Sequence, residues 1–196
     1  MSEAELQPED RARAGFYGLI ARLFYAPPDE GVLAQLLHAG AFEGSSKPVA
    51  LAWRALVEAA RTAFPVVIEN EHTELFSGTG KAEVTPYLTH YTLKYATDNP
   101  LVELRQQLAE WGLSRRESVN EPEDHIAGIC ETLRLAIAVQ HRTEAEQKAF
   151  FERFLYRGGV AFCDAVSASA RAVFYRRVAE FTRAFFEVEH EAFGML

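Results

Sequence analysis

The sequence predicts an all-α fold: one domain over residues 1–196, built as a bundle of roughly eight to ten helices. Two observations carry this. Apolar residues recur at spacings of three and four in nearly every segment. No segment alternates with period two, and no Asn-Gly or Asp-Gly pair marks a hairpin. Hydrophobic residues make up 48% of the 196, with 14 phenylalanines, which is enough to fill a sizeable core. No internal repeat or low-complexity linker divides the chain.

Phe16, Leu19, Ile20, Leu23 and Phe24 form the first apolar stripe. Pro27-Pro28 stops that helix, because a residue before proline is pushed out of the helical region. Asp29 to Ala39 fits a short second helix ending at Gly40. After the loop Gly44-Ser45-Ser46-Lys47-Pro48, a third fits Val49 to Ala63 and stops near Pro65, and a fourth fits Val66 to Phe76. Ser77-Gly78-Thr79-Gly80-Lys81 and Val84-Thr85-Pro86-Tyr87 read as loop, and Tyr91 to Tyr95 as a turn of helix. Asp98 or Asn99 caps the next helix, which runs through Leu101, Leu104, Leu108 and Trp111 to a Gly112 stop. Ile126, Ile129, Cys130, Leu133 and Ile137 stripe another, to about Gln140. Phe150, Phe151, Phe154 and Leu155 mark a further helix that Gly158-Gly159 interrupts before the segment Phe162 to Ala168. The last, through Phe174, Val178, Phe181, Phe185 and Val188, has the cleanest amphipathic pattern.

The most informative stretch is Glu121-Pro122-Glu123-Asp124-His125, where a polar loop becomes an apolar-periodic helix. Two caps fit: Asn120 with Glu123 as a capping box, or Glu121 as the cap with Pro122 at the first helical position. Either puts acids at the positive end of the helix, where they are stabilised. His125 falls one turn before Ile129, at the edge of the apolar stripe, and is expected to be half exposed and able to titrate near neutral pH.

A net charge of −8 argues against nucleic acid as the main partner and suits a basic peptide. Cys130 and Cys163 lie in apolar-periodic segments and read as buried free thiols in a reducing compartment. The acidic start lacks a secretory pattern, and no apolar run approaches the roughly 20 residues needed to span a bilayer, so a cytoplasmic location without membrane insertion is expected.

The stretch Phe76 to Ala82 is not a phosphate-binding loop, since Leu75 stands where a glycine is needed and Ala82 where Ser or Thr should hold magnesium. A di-metal carboxylate bundle is the alternative reading, with Glu69/His72 and Glu187/His190 as Glu-x-x-His pairs. No nucleophile elbow, Cys-x-x-Cys or dinucleotide loop supports an enzyme.

Glu121-Pro122-Glu123-Asp124-His125 resembles the E-P-x-D-H signature of the TorD/DmsD/NarJ family of redox-enzyme maturation chaperones. The stretch from Phe16 to Phe24 before Pro27-Pro28 is similar to the family's opening helix. Glu71 through Phe76, then Val84-Thr85-Pro86-Tyr87, resembles its E-x-x-x-L-F helix and proline-aromatic loop. Leu101 to Leu113 resembles the helix before the signature. Phe154-Leu155 and Arg157-Gly158 stand where relatives often carry His-Leu and Pro-Trp, which leaves the client open. The resemblance implies a non-catalytic protein with no cofactor of its own; for a multi-helix chain with several loops, a monomer or a homodimer is expected. It would hold the apo-form of a molybdoenzyme subunit, or its twin-arginine signal peptide, until molybdopterin is inserted. It also implies that Glu121, Pro122, Asp124 and His125 contact the peptide, with acids pairing to its arginines, and that Leu75, Phe76, Pro86 and Tyr87 line an adjoining apolar groove.

Overall fold

The computed structural model describes residues 6–38, 47–77, 82–92, 99–116 and 120–196, and among them the expected all-α architecture holds. The predicted helix end at Ala39 and Gly40, residues 44–46 and 78–81, Tyr95 and the Asp98 cap lie outside the described residues.

Helix α1 (Pro8–Tyr25) opens on a proline followed by Glu9 and Asp10, which suit its positive end, and it stops before Pro27-Pro28 as predicted. Then come α2 (Glu30–His38), α3 (Pro48–Arg61) and α4 (Pro65–His72), the last continuing as a π-helical turn over Thr73–Ser77. A single turn, α5 (Thr89–Thr92), precedes α6 (Pro100–Glu110). Asn99 caps α6, its side chain accepting from Leu101 N at 3.1 Å. Gly112 ends it at φ 67°, where Gly112 N donates to Ala109 O and Leu113 N to Leu108 O, a Schellman closure that favours glycine. Helix α7 (Ile126–Ala138) follows, then α8 (Glu144–Phe150) with a Thr143/Glu146 capping box, and α10 (Phe174–Gly194) closes the chain.

The expected interruption at Gly158-Gly159 is absent. Helix α8 passes through a π-helical segment (Phe151–Tyr156) directly into α9 (Arg157–Ala168). Both glycines serve packing. A Cβ at Gly158 would lie 3.0 Å from Leu88 O, and one at Gly159 would lie 2.7 Å from the Phe186 ring. Two glycines cost a helix about 1 kcal/mol each in propensity, and here the close approach of α5 and α10 offsets that cost.

Helix α1 packs along α7, while α10 packs on α3 and α9. Phe24, Phe76, Phe162 and Tyr175 meet in one aromatic cluster, and Trp53, Phe181 and Phe185 in another. Cys130 and Cys163 are free and buried, as the sequence suggests. Glu189 of α10 is buried against α1, accepting from the Arg13 guanidinium and the Tyr17 hydroxyl at 2.9 Å.

Candidate functional site: a groove beside the acidic motif

The motif is clasped by the segment before α5. Leu88 N donates to Asp124 O and Ile126 N to Pro86 O, each at 2.9 Å, so Tyr87 and His125 face each other across an isolated antiparallel bridge. Two side-chain bonds reinforce it: the Tyr87 hydroxyl donates to Glu121 at 2.6 Å, and the Thr89 hydroxyl donates to the Asp124 carboxylate. Val84 N, bonded to Leu75 O, ties this segment back to the end of α4.

Neither predicted cap forms. His125 itself caps α7, its Nδ1 accepting from Ala127 N at 3.1 Å, so the neutral ring carries its proton on Nε2. Pro122 lies in the turn before the helix and its carbonyl accepts from His125 N, which leaves the first helical position to Ile126. The half-exposed histidine expected from the sequence is likewise corrected. His125 is only 6% exposed, because the rings of Tyr87 and Tyr25 pack edge-on against it at 5.8 and 6.5 Å between centroids.

Burial lowers the His125 pKa below the ordinary 6.5, against the pull of the Glu121 and Asp124 carboxylates, and nearby His72 adds to the lowering. Burial lowers His72 too, against a backbone hydrogen bond at Phe24. Both imidazoles therefore stay neutral in the fold at pH values where the unfolded chain protonates. Their contribution to stability is complete above 6.5 and is lost as pH falls below it, toward the folded values. The urea midpoint should drop between about pH 7.5 and pH 5.5. The double variant His72→Gln/His125→Asn should flatten that drop, and an equal drop in both proteins would rule the histidines out as its source. Glu83, Glu123 and Glu146 lie below their ordinary 4.5 and titrate outside this window.

Beside the motif opens a groove of about 560 Å³ between α1, α7, the end of α6 and the loop leading to the motif. Gly18, Ala21, Ala127 and Gly128 are its small residues, and Leu108, Leu113, Leu135 and Tyr25 its large apolar ones. Of the predicted site residues, Glu121, Pro122 and His125 line it. Asp124 does not: it is 3% exposed, and its carboxylate accepts from Thr89. Tyr87 reaches the groove only through its bond to Glu121, and its hydroxyl is pushed up to about 12 by burial and by that carboxylate.

Leu75, Phe76 and Pro86 are buried away from this lining. Leu75 has no exposed surface, and Phe76 packs edge-on against Phe24 and Tyr175. The groove adjoining the motif is thus built from α1, α6 and α7, where the sequence offered only helix faces with ordinary apolar spacing.

The charges lining the groove are unequally satisfied. Glu123 is partly buried, but its own backbone amide and the Arg105 and Arg115 guanidiniums hold its carboxyl low, at 3.0 Å from Arg105 and 3.9 Å from Arg115. Glu131 accepts two bonds of 2.7 Å from Arg134. Glu121 has, among the described residues, the neutral Tyr87 hydroxyl as its hydrogen-bond donor.

The di-metal alternative gains no support from this geometry. Among the described residues no group of three or more His, Cys, Asp or Glu side chains is placed to hold a metal. Glu69 is exposed while His72 is buried against Phe76 and Tyr175. Glu187 accepts from the Tyr156 hydroxyl, and His190 stacks on the Tyr156 ring at 4.0 Å. Among the described residues no helix is long and apolar enough to cross a membrane.

No curated protein matches the chain. A solved structure from Archaeoglobus fulgidus, presented as a provisional redox enzyme maturation protein, is similar in fold. It has 18% sequence identity and a TM-score of 0.58, over 89% of this chain and 93% of that one. The family model described as nitrate reductase delta subunit matches residues 43–164, which contain the clasp and the whole motif. That span is more than half of the 196 residues and bears out the resemblance to the NarJ/TorD-like chaperones: the chain belongs to the nitrate reductase delta subunit family.

Proposed function

We propose that this protein is a cytoplasmic, non-catalytic chaperone that holds a molybdoenzyme subunit before its molybdopterin cofactor is inserted. It does so by gripping an arginine-bearing segment, a twin-arginine signal peptide or another part of the apo-subunit, in the groove beside the motif. The family name makes a nitrate reductase subunit the first client to try.

The observation that carries this reading is the state of Glu121. It lines the groove, and its described donor is a neutral hydroxyl, whereas Glu123 and Glu131 are matched by arginines. An incoming guanidinium completes Glu121 with a charge-assisted bond, worth about 1.5–3 kcal/mol. The apolar residues that follow it in the peptide find Leu108, Leu113 and Leu135 along the same groove. Pro122 and His125 shape the mouth, and Asp124 holds the frame on which they sit.

Calorimetric titration with a blocked synthetic peptide, two arginines ahead of an apolar run, tests the reading. Glu121→Gln keeps the bond to Tyr87 possible but removes the charge, and should weaken binding about tenfold or more at low salt. Added salt should weaken binding to the wild type more than to the variant. Equal affinity of the two proteins would remove Glu121 from the site.

A further inference from the structure

We propose that Tyr25 makes the groove select arginine over lysine, an inference that rests on the peptide-binding reading above. Tyr25 is the last residue of α1 and stays 50% exposed, while Tyr17 and Phe24 of the same helix are buried. Its ring lines the groove and meets the buried His125 ring at 6.5 Å. His125 also meets Tyr87, whose hydroxyl holds Glu121. Tyr25 and Glu121 therefore line one groove, linked through His125 and Tyr87, the first offering an aromatic surface and the second a carboxylate.

A guanidinium uses both at once. Its in-plane N–H groups donate to the carboxylate while its flat face lies on the ring. An ammonium is a compact, strongly hydrated charge that satisfies the carboxylate but has no flat face to lay on the ring, so it gains less from the aromatic surface. Of the three arginines of this lining, two are engaged elsewhere, and the third, Arg116, is exposed. Arg22 is engaged by Asp29 and the Ala26 carbonyl, and Arg115 by Glu123. The Tyr25 hydroxyl plays no part, so phenylalanine should substitute for it and alanine should not.

The test compares the paired-arginine peptide with its paired-lysine counterpart on wild type, Tyr25→Phe and Tyr25→Ala. Wild type and Tyr25→Phe should favour arginine several-fold. In Tyr25→Ala that ratio should shrink through weaker arginine binding, with lysine binding changed less than about twofold. A ratio retained in Tyr25→Ala overturns the role of Tyr25 and leaves the groove reading standing. A wild-type protein that binds neither peptide overturns the groove reading and this inference with it.

Discussion

Glu71→Ala should lower the stability of the protein by about 3 kcal/mol and loosen the start of α10. The Glu71 carboxylate, on α4, accepts from three consecutive backbone N–H groups: Val173 at 2.8 Å, Phe174 at 3.1 Å and Tyr175 at 2.8 Å. These are among the N–H groups a helix leaves without an internal partner. The carboxylate also sits at the positive end of the helix dipole. Removing it orphans donors that are buried at Phe174 and Tyr175, where water cannot replace the bond, at about 1–3 kcal/mol each. Val173 is exposed and recovers part of its loss from solvent. Glu71→Gln keeps one acceptor oxygen and should fall between the two. Urea unfolding reads the midpoint, and hydrogen exchange reads the amides of Val173, Phe174 and Tyr175. Unchanged exchange at those amides would dismiss the cap.

This role was only half legible. Glu71 is the first residue of the E-x-x-x-L-F pattern, and the pattern is visible in the chain, but its partner lies about a hundred residues away. The same division runs through the fold. Local chemistry announced α1 with its Pro27-Pro28 stop, the Asn99 cap and the Gly112 closure, because each depends on a few adjacent residues. Gly158-Gly159 read as a break because propensity alone says so. Their purpose, making room for Leu88 and Phe186, exists only once α5 and α10 are in place. Spacing sets His125 at the start of α7 but does not reveal its burial, since the rings that cover it come from α1 and from the segment before α5. The groove was the least visible feature. Its walls are contributed by three helices and a loop, and nothing in the spacing of Tyr25, Leu108 or Leu135 sets them apart from core positions.

Asp124→Ala should cost about 2–3 kcal/mol of stability and weaken peptide binding as a consequence, although Asp124 lies outside the groove lining. Its carboxylate is turned to the Thr89 hydroxyl, and its carbonyl accepts from Leu88, so it joins the α5 segment to the turn that presents Glu121 and His125. Loss of the carboxylate releases one half of the clasp, and the positions of both groove residues blur. Thr89→Val separates this account from direct contact with the peptide. If Asp124 acts through Thr89, that substitution reproduces most of the fall in affinity, and the double variant is little worse than either single one, a coupling that a double-mutant cycle measures. Thr89→Ser, which keeps the hydroxyl, should restore wild-type affinity. If instead Asp124 pairs with an arginine of the peptide, Thr89→Val would leave affinity close to wild type while Asp124→Ala abolished it. The buried carboxylate and its threonine partner favour the first outcome, in which the most acidic part of the motif divides its labour. In that outcome Glu121 meets the ligand, and Asp124 keeps Glu121 where the ligand can find it.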